Sequence, residues 1–164
     1  MIFVKRILNI LSNILCTILL IGIIATAVCF ALGIKPYVVL SGSMEPNIHT
    51  GSVCFVNSKA SYDEVEVGDV IAFKTTTGVM VTHRVIEETA EGFVTQGDAN
   101  DVPDGIITTR SNFGGETIFS VPQIGYAMVA LQKPANIAIV IVIILAILAL
   151  SFVDTMEEGV KKKK

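Results

Sequence analysis

Polar and charged positions gather in the middle of this chain, and the two flanks are almost purely apolar. From Ile14 to Leu32 run 19 residues without a charge (ILCTILLIGIIATAVCFAL), and the uncharged run extends back to Ile7. About 20 apolar residues at ~1.5 Å rise each cross the ~30 Å of a bilayer's hydrocarbon, so the pattern predicts a membrane helix. Asn9, Ser12 and Asn13 make its first turns amphipathic, which sets the span at residues 10–33 after a short leader, residues 1–9. A second uncharged run of 19 residues, Ala135 to Val153, is rich in Ile and Val but far too long for a strand. It predicts a second membrane helix over residues 135–153, followed by a basic tail, residues 154–164.

Between the flanks the pattern changes to short β-branched and aromatic runs: 37–40, 52–56, 70–73, 79–81, 84–86, 93–95, 106–108 and 118–121. Turn signals separate them, among them Thr50-Gly51, Gly68-Asp69, Thr77-Gly78, Glu91-Gly92, Asp104-Gly105 and Gly114-Gly115. Many short strands at such spacing predict an antiparallel sheet or barrel. No segment here has a convincing 3.6-residue period. The expectation is a membrane protein whose all-β antiparallel domain, residues 34–133, is flanked by two transmembrane helices.

Composition sharpens this. The chain is 52% apolar and 16% charged, with a mean hydropathy of +0.68 and a net charge of −3. A soluble domain averages roughly 25% charged residues, so neither an ordinary soluble domain nor a basic nucleic-acid binder fits. Lys5 and Arg6 precede the first span, and Lys161 to Lys164 follow the second. The positive-inside rule then puts both ends of the sequence on the cytoplasmic side and the β domain outside. Ala25-Thr26-Ala27 resembles a signal-peptide cleavage site but lies inside the apolar run, which is longer than a cleavable core, so the segment reads as an uncleaved anchor. The outer domain holds 6 basic and 12 acidic residues, which disfavours nucleic acid as its partner. Cys16, Cys29 and Cys54 make no disulfide framework, and Cys54 sits in a strand-like run where a buried structural thiol is expected.

Three segments carry candidate chemistry. Leu40-Ser-Gly-Ser-Met-Glu-Pro-Asn47 follows the membrane exit, and its Gly42 and Pro46 shape a loop of the kind that exposes a nucleophilic hydroxyl beside backbone N–H groups. Taken alone it is an ordinary turn. Thr82-His-Arg-Val-Ile86 holds one of two histidines, and an imidazole is suited to accept a serine proton near neutral pH. His49, the other, reads as a solvated loop residue. Thr95-Gln-Gly-Asp-Ala-Asn-Asp-Val-Pro-Asp-Gly105 offers Asp98, Asp101 and Asp104 as acids to orient that imidazole, and no Glu closes an EF-hand loop there.

In this order the segments resemble the type I signal peptidases, in particular their serine–histidine branch (peptidase family S26B) of the endoplasmic reticulum, archaea and some spore-forming bacteria. The residues that carry the resemblance are Ser41-Gly-Ser-Met-Glu-Pro46, Val67-Gly-Asp-Val-Ile-Ala-Phe73, Thr82-His-Arg-Val-Ile86, Gly97-Asp98 with Asn100, and Val121-Pro-Gln-Ile-Gly125. The common bacterial branch has a Lys where this sequence has His83. The resemblance implies a serine endopeptidase that removes signal peptides from exported preproteins after small residues, through an acyl-enzyme, without a cofactor or metal. Ser43 is then the nucleophile and His83 the general base. The family's acid lies six residues after the Asp of a Gly-Asp-Asn-Asn motif, which here reads Gly-Asp-Ala-Asn. Counting from Asp98 reaches Asp104, with Asp101 as a competitor. Ser41 is expected to line the oxyanion hole and Asp98 to support the loop, with Val39, Met44 and Pro46 contacting substrate. The implied partners are preproteins, the bilayer and the secretion translocon, and the implied location is the cell membrane or the endoplasmic reticulum membrane. Two other readings are a catalytically inactive membrane-tethered accessory subunit of the same fold, and a repressor-cleaving autoprotease. The latter needs a Ser–Lys pair and a DNA-binding domain that this sequence lacks.

Overall fold

The computed structural model describes residues 2–161. Lys162 to Lys164 of the expected basic tail lie outside the described residues, as do the side chains of Lys5, Arg6 and Lys161. The chain divides into two compact units. One contains the sheet, Val28–Val129, and the other contains the flanking segments up to Ala27 and from Ala130 onward.

The flanking unit is helical. Helix α1 spans Ile2–Leu32, so residues 2–9, expected to precede the span, are helical too. Its stretch Asn9–Leu32 is long and apolar enough to cross a membrane, with a mean hydropathy of 2.8. Thr17 and Thr26 donate their hydroxyls to the carbonyls of Asn13 and Gly22, each at 2.8 Å, so these polar side chains are satisfied inside the helix. After the sheet unit, a longer helix runs over Pro134–Lys161, with Pro134 at a helix start where its missing N–H costs nothing. The whole Ile/Val-rich run Ala135–Val153 is therefore helical, as its length demanded.

Helix α1 passes into strand β1 (Ile34–Val38) through one residue. Gly33 takes φ +84°, a left-handed conformation that ends helices, and its N–H reaches the Phe30 carbonyl at 3.0 Å. The junction is clasped from the sheet. Lys59 Nζ donates to the Ala31 carbonyl at 2.8 Å, and Ser58 donates both its N–H and its hydroxyl to the Gly33 carbonyl.

Strands β2 (Val53–Asn57), β3 (Val70–Lys74), β4 (Met80–Thr89), β5 (Gly92–Gln96) and β6 (Phe113–Val121) complete one antiparallel sheet in the order β1-β2-β6-β3-β4-β5. The expected runs 79–81 and 84–86 are one strand, because Thr82 and His83 continue the ladder opposite Ala72 and Ile71. The run 106–108 forms no strand and contributes only the bridge between Thr108 and Phe93. The last strand starts earlier than its β-branched residues suggest. Gly114-Gly115, a turn signal in the sequence, lies inside β6 close to where its pairing with β3 shifts register, the position a strand glycine commonly marks. The domain also contains a helix, α2 (Ile124–Leu131), where no helical period was visible. Two turns are too short to display one. Helix α3 is Pro134–Lys161.

Alternation along the strands divides the core in two. Met44, Ile48, Cys54, Val56 and Ala72 pack on one side, and Val65, Ile71, Phe73, Val85 and Phe93 on the other. Tyr62 seals the second cluster by packing against Phe93 and Phe113 and donating its hydroxyl to the Thr108 carbonyl at 2.9 Å.

Candidate active site

The loop after β1 owes its shape to its two apolar residues. Met44 and Ile48 are buried in the first core cluster, and the Ile48 N–H bonds the Met44 carbonyl at 2.8 Å, so the loop is pinned on both sides of Pro46. Glu45 closes it by accepting from the Thr50 hydroxyl at 3.2 Å. Ser43 precedes the pinned Met44 and is half-buried. Its carbonyl accepts the Ala99 N–H at 2.8 Å, tying this loop to the Gly97–Asn100 segment. That approach requires glycine at 97: a Cβ there would lie 2.5 Å from the Ser43 carbonyl oxygen and 3.0 Å from Ser43 Cβ.

His83 is buried in β4, with its ring edge toward Phe73 at 6.2 Å between centroids. Its Nδ1 lies 2.7 Å from Asp104 Oδ2 and its Nε2 3.0 Å from Ser43 Oγ. A carboxylate only accepts, so Nδ1 carries the proton and the Nε2 lone pair faces the serine hydroxyl. Among the three aspartates of the 95–105 segment, Asp104 is the one bonded to His83. The buried Thr95 of β5 holds Asp104 twice: the Asp104 N–H bonds the Thr95 carbonyl at 2.7 Å, and the Thr95 hydroxyl donates to Oδ2 at 2.6 Å.

Arg84, next along β4, points to the other side of the strand, as alternation requires. Its guanidinium grips Asp98 in fork fashion (Nε to Oδ1 2.8 Å, Nη2 to Oδ2 2.7 Å), and Asn47 Nδ2 donates to Asp98 Oδ2 at 2.7 Å. The Arg84 hydrogen bonds first, and the Asn47 bond after them, hold the Asp98 carboxyl below the usual carboxylate range against the opposing effect of its burial. Asp98 thus ties the serine loop, through Asn47, to β4. Asp101 and His49 are exposed.

The serine opens on an apolar cavity of about 360 Å³. Val39, Ser41, Met44 and His83 line it, and Pro46 does not. Ser41 Oγ lies 3.3 Å from Ser43 Oγ. Cys54 contributes to the cavity wall, but burial pushes its thiol pKa up to about 11, which leaves it protonated and unreactive at neutral pH. Two strand edges border the space. β1 pairs only with β2, and β5 covers β4 only from Arg84 onward, so the edge from Met80 to His83 lacks a strand partner on that side. Among the described residues no three His, Cys, Asp or Glu side chains converge to hold a metal ion.

A serine, an imidazole and a carboxylate in one hydrogen-bonded chain define a site of the serine-hydrolase kind, and the comparisons narrow the class. The profile of the family "Signal peptidase, peptidase S26" matches residues 10–92, half of the sequence, and this chain belongs to that family. Signal peptidase I W of Bacillus subtilis (strain 168) is 38% identical over 89 residues, covering 51% of this chain and 47% of that protein. The signal peptidase complex catalytic subunit SEC11 of Colletotrichum graminicola is 28% identical over 108 residues, covering 58% of this chain and 63% of the relative. Human SEC11C, also a signal peptidase complex catalytic subunit by name, is 40% identical over 73 residues, 41% of this chain and 38% of the relative. The chain thus spans less than two thirds of the length of each of these relatives.

Ser43, His83 and Asp104 come together as expected, with Ser41 beside them, whereas Asp98 faces Arg84 and Asn47. Sequence reasoning passed over Thr95, Arg84 and Asn47. Thr95 carried a usable signal: it shares a strand face with Phe93, and a hydroxyl on a buried face needs an acceptor.

Proposed function

We propose that this chain is a membrane-anchored signal peptidase, a serine endopeptidase that cuts signal peptides from exported preproteins after small residues. The observation that carries the proposal is the Ser43–His83–Asp104 chain opening on an apolar cavity between two free strand edges. An extended peptide adding itself to those edges would have its backbone paired and its side chains alternately directed into the cavity. A cavity of about 360 Å³, shared by at least two substrate side chains, suits small ones.

In this reading Ser43 Oγ attacks the scissile carbonyl while its proton passes to His83 Nε2. Asp104 stabilises the imidazolium that forms. The Ser43 N–H and the Ser41 hydroxyl serve as donors to the developing oxyanion. The intermediate collapses as His83 delivers the proton to the leaving amine, which breaks the peptide bond and leaves an ester on Ser43. Water, deprotonated by His83, hydrolyses the ester and returns the serine. Val39 and Met44 would contact the substrate from the cavity wall. Pro46 acts through the shape of the loop.

The same reading assigns residues 10–33 and 135–153 as two spans, residues 34–133 as the outer peptidase domain, and residues 1–9 and 154–164 to the cytoplasmic face, by the positive-inside argument. The bilayer and the translocon are the partners this placement entails. The test is cleavage of a secretory precursor by the full chain in phospholipid vesicles, with product N-termini read by mass spectrometry. Wild type should cut after a small residue, and S43A and H83A should not. Equal cutting by wild type and S43A would sink the proposal in favour of a contaminating protease, and no cutting by wild type would favour the inactive accessory subunit.

A further inference from the structure

We propose that Thr95 is a positioning residue of this site, acting on the reaction through Asp104. The inference rests on the peptidase reading above and adds to it a residue that neither the motifs nor the family resemblance singled out.

A carboxylate that merely neighbours a histidine can rotate about its terminal torsion and offer either oxygen, or neither, to the imidazole. Here one oxygen is selected. Oδ2 of Asp104 receives both His83 Nδ1 at 2.7 Å and the Thr95 hydroxyl at 2.6 Å. The second is a short charge-assisted O–H···O⁻ bond, of the stronger class. The same threonine also receives the Asp104 N–H on its own carbonyl, so backbone and side chain of the acid are fixed from one residue. Thr95 can do this because it is wholly buried in β5 opposite Val85, two positions along β4 from His83 on the same face. The imidazole and the acid's anchor are therefore held by adjacent strands of one ladder. Asp104 itself sits on an irregular segment with no ladder of its own.

With the carboxylate aimed, Nδ1 keeps its proton and Nε2 stays free to accept from Ser43. With the hydroxyl removed, Oδ2 loses one of its two donors and the carboxylate is free to turn. The consequence falls on the proton transfer and not on substrate binding, because Thr95 is absent from the cavity wall.

The experiment measures kcat and KM of the full chain in phospholipid vesicles on a secretory precursor, for wild type, T95V, T95S, D104N and T95V/D104N. A lost hydrogen bond to a charged group predicts a kcat for T95V roughly 10- to 100-fold below wild type. KM should stay unchanged, T95S should restore most of the rate, and T95V should add nothing once Asp104 is Asn. The inference is overturned if T95V keeps the wild-type kcat, if T95S is as impaired as T95V, or if T95V costs the same factor in the D104N background. If T95V does not fold, T95A against T95S asks the same question, and equal rates for the two overturn it. A wild type that cleaves no more than S43A overturns the peptidase reading and this inference with it. A wild type that cleaves while T95V matches it overturns this inference alone.

Discussion

Gly97→Ala is the sharpest probe of how the site is assembled, because it alters none of the three reacting side chains chemically. The added Cβ would stand 2.5 Å from the Ser43 carbonyl oxygen, 2.8 Å from Asn100 Nδ2 and 3.0 Å from Ser43 Cβ. Comfortable contact for a carbon lies near ~3.5 Å, so the two loops must part by on the order of 1 Å. Neither contact with Ser43 involves the end of a flexible side chain, so the loop itself must give. The Ser43 Oγ to His83 Nε2 distance is 3.0 Å. Most of an ångström added to it exceeds hydrogen-bond range, and a misplacement of about 1 Å costs on the order of 100-fold in rate. The expected outcome for G97A is therefore a ~100-fold fall in kcat/KM on a vesicle-reconstituted precursor, by the same reasoning. The control is G105A, where nothing lies within 4 Å of the added methyl and the rate should stay at wild type. A G97A enzyme within threefold of G105A, both folded by circular dichroism, would refute the claim that this loop contact sets the serine's position.

Two further outcomes follow from the aspartates. D104N should lower kcat by roughly four orders of magnitude, as loss of a triad acid does elsewhere, while D101N, altering an exposed side chain, should cleave like wild type; the reverse order in a precursor assay would reassign the acid. For Asp98 the sign runs with acid. Its folded pKa is depressed, chiefly by Arg84, so the stability it contributes is complete above the ordinary carboxyl value of ~3.9 and is lost as pH falls through the depressed value. Thermal melting of wild type should therefore fall more steeply below about pH 4 than that of D98N, and parallel melting curves would contradict the Arg84–Asp98 assignment.

The flanking helices and the antiparallel domain were legible because they rest on patterns longer than a turn: 19 uncharged residues at each end, and β-branched runs punctuated by glycine. The pairing order was not. Nothing in Phe113–Val121 announces that the last strand inserts between β2 and β3, since register is fixed by partners distant in sequence. Helix α2 escaped notice for want of length, and the run 106–108 misled because β-branched residues also serve as single bridges. At the site, the contexts of Ser43 and His83 were ambiguous one by one, and the resemblance carried by the three segments in order is what singled them out. The choice among three aspartates was not legible, because it depends on which carboxylate the fold turns toward Nδ1. Arg84 was passed over although alternation bears on it: once His83 faces one side of β4, its neighbour must serve the other, where Asp98 supplies the opposite charge.

The junction at Gly33 bears on how the proposed nucleophile is tethered. Helix gives way to strand in a single residue, and Lys59 and Ser58 hold the carbonyls on either side of the step. Three hydrogen bonds therefore pin the step to the residues after β2. The eleven residues from Gly33 to Ser43 follow that step directly, and five of them form β1. On the peptidase reading proposed above, the reach of Ser43 from this step is then set by a hydrogen-bonded strand instead of a loose linker.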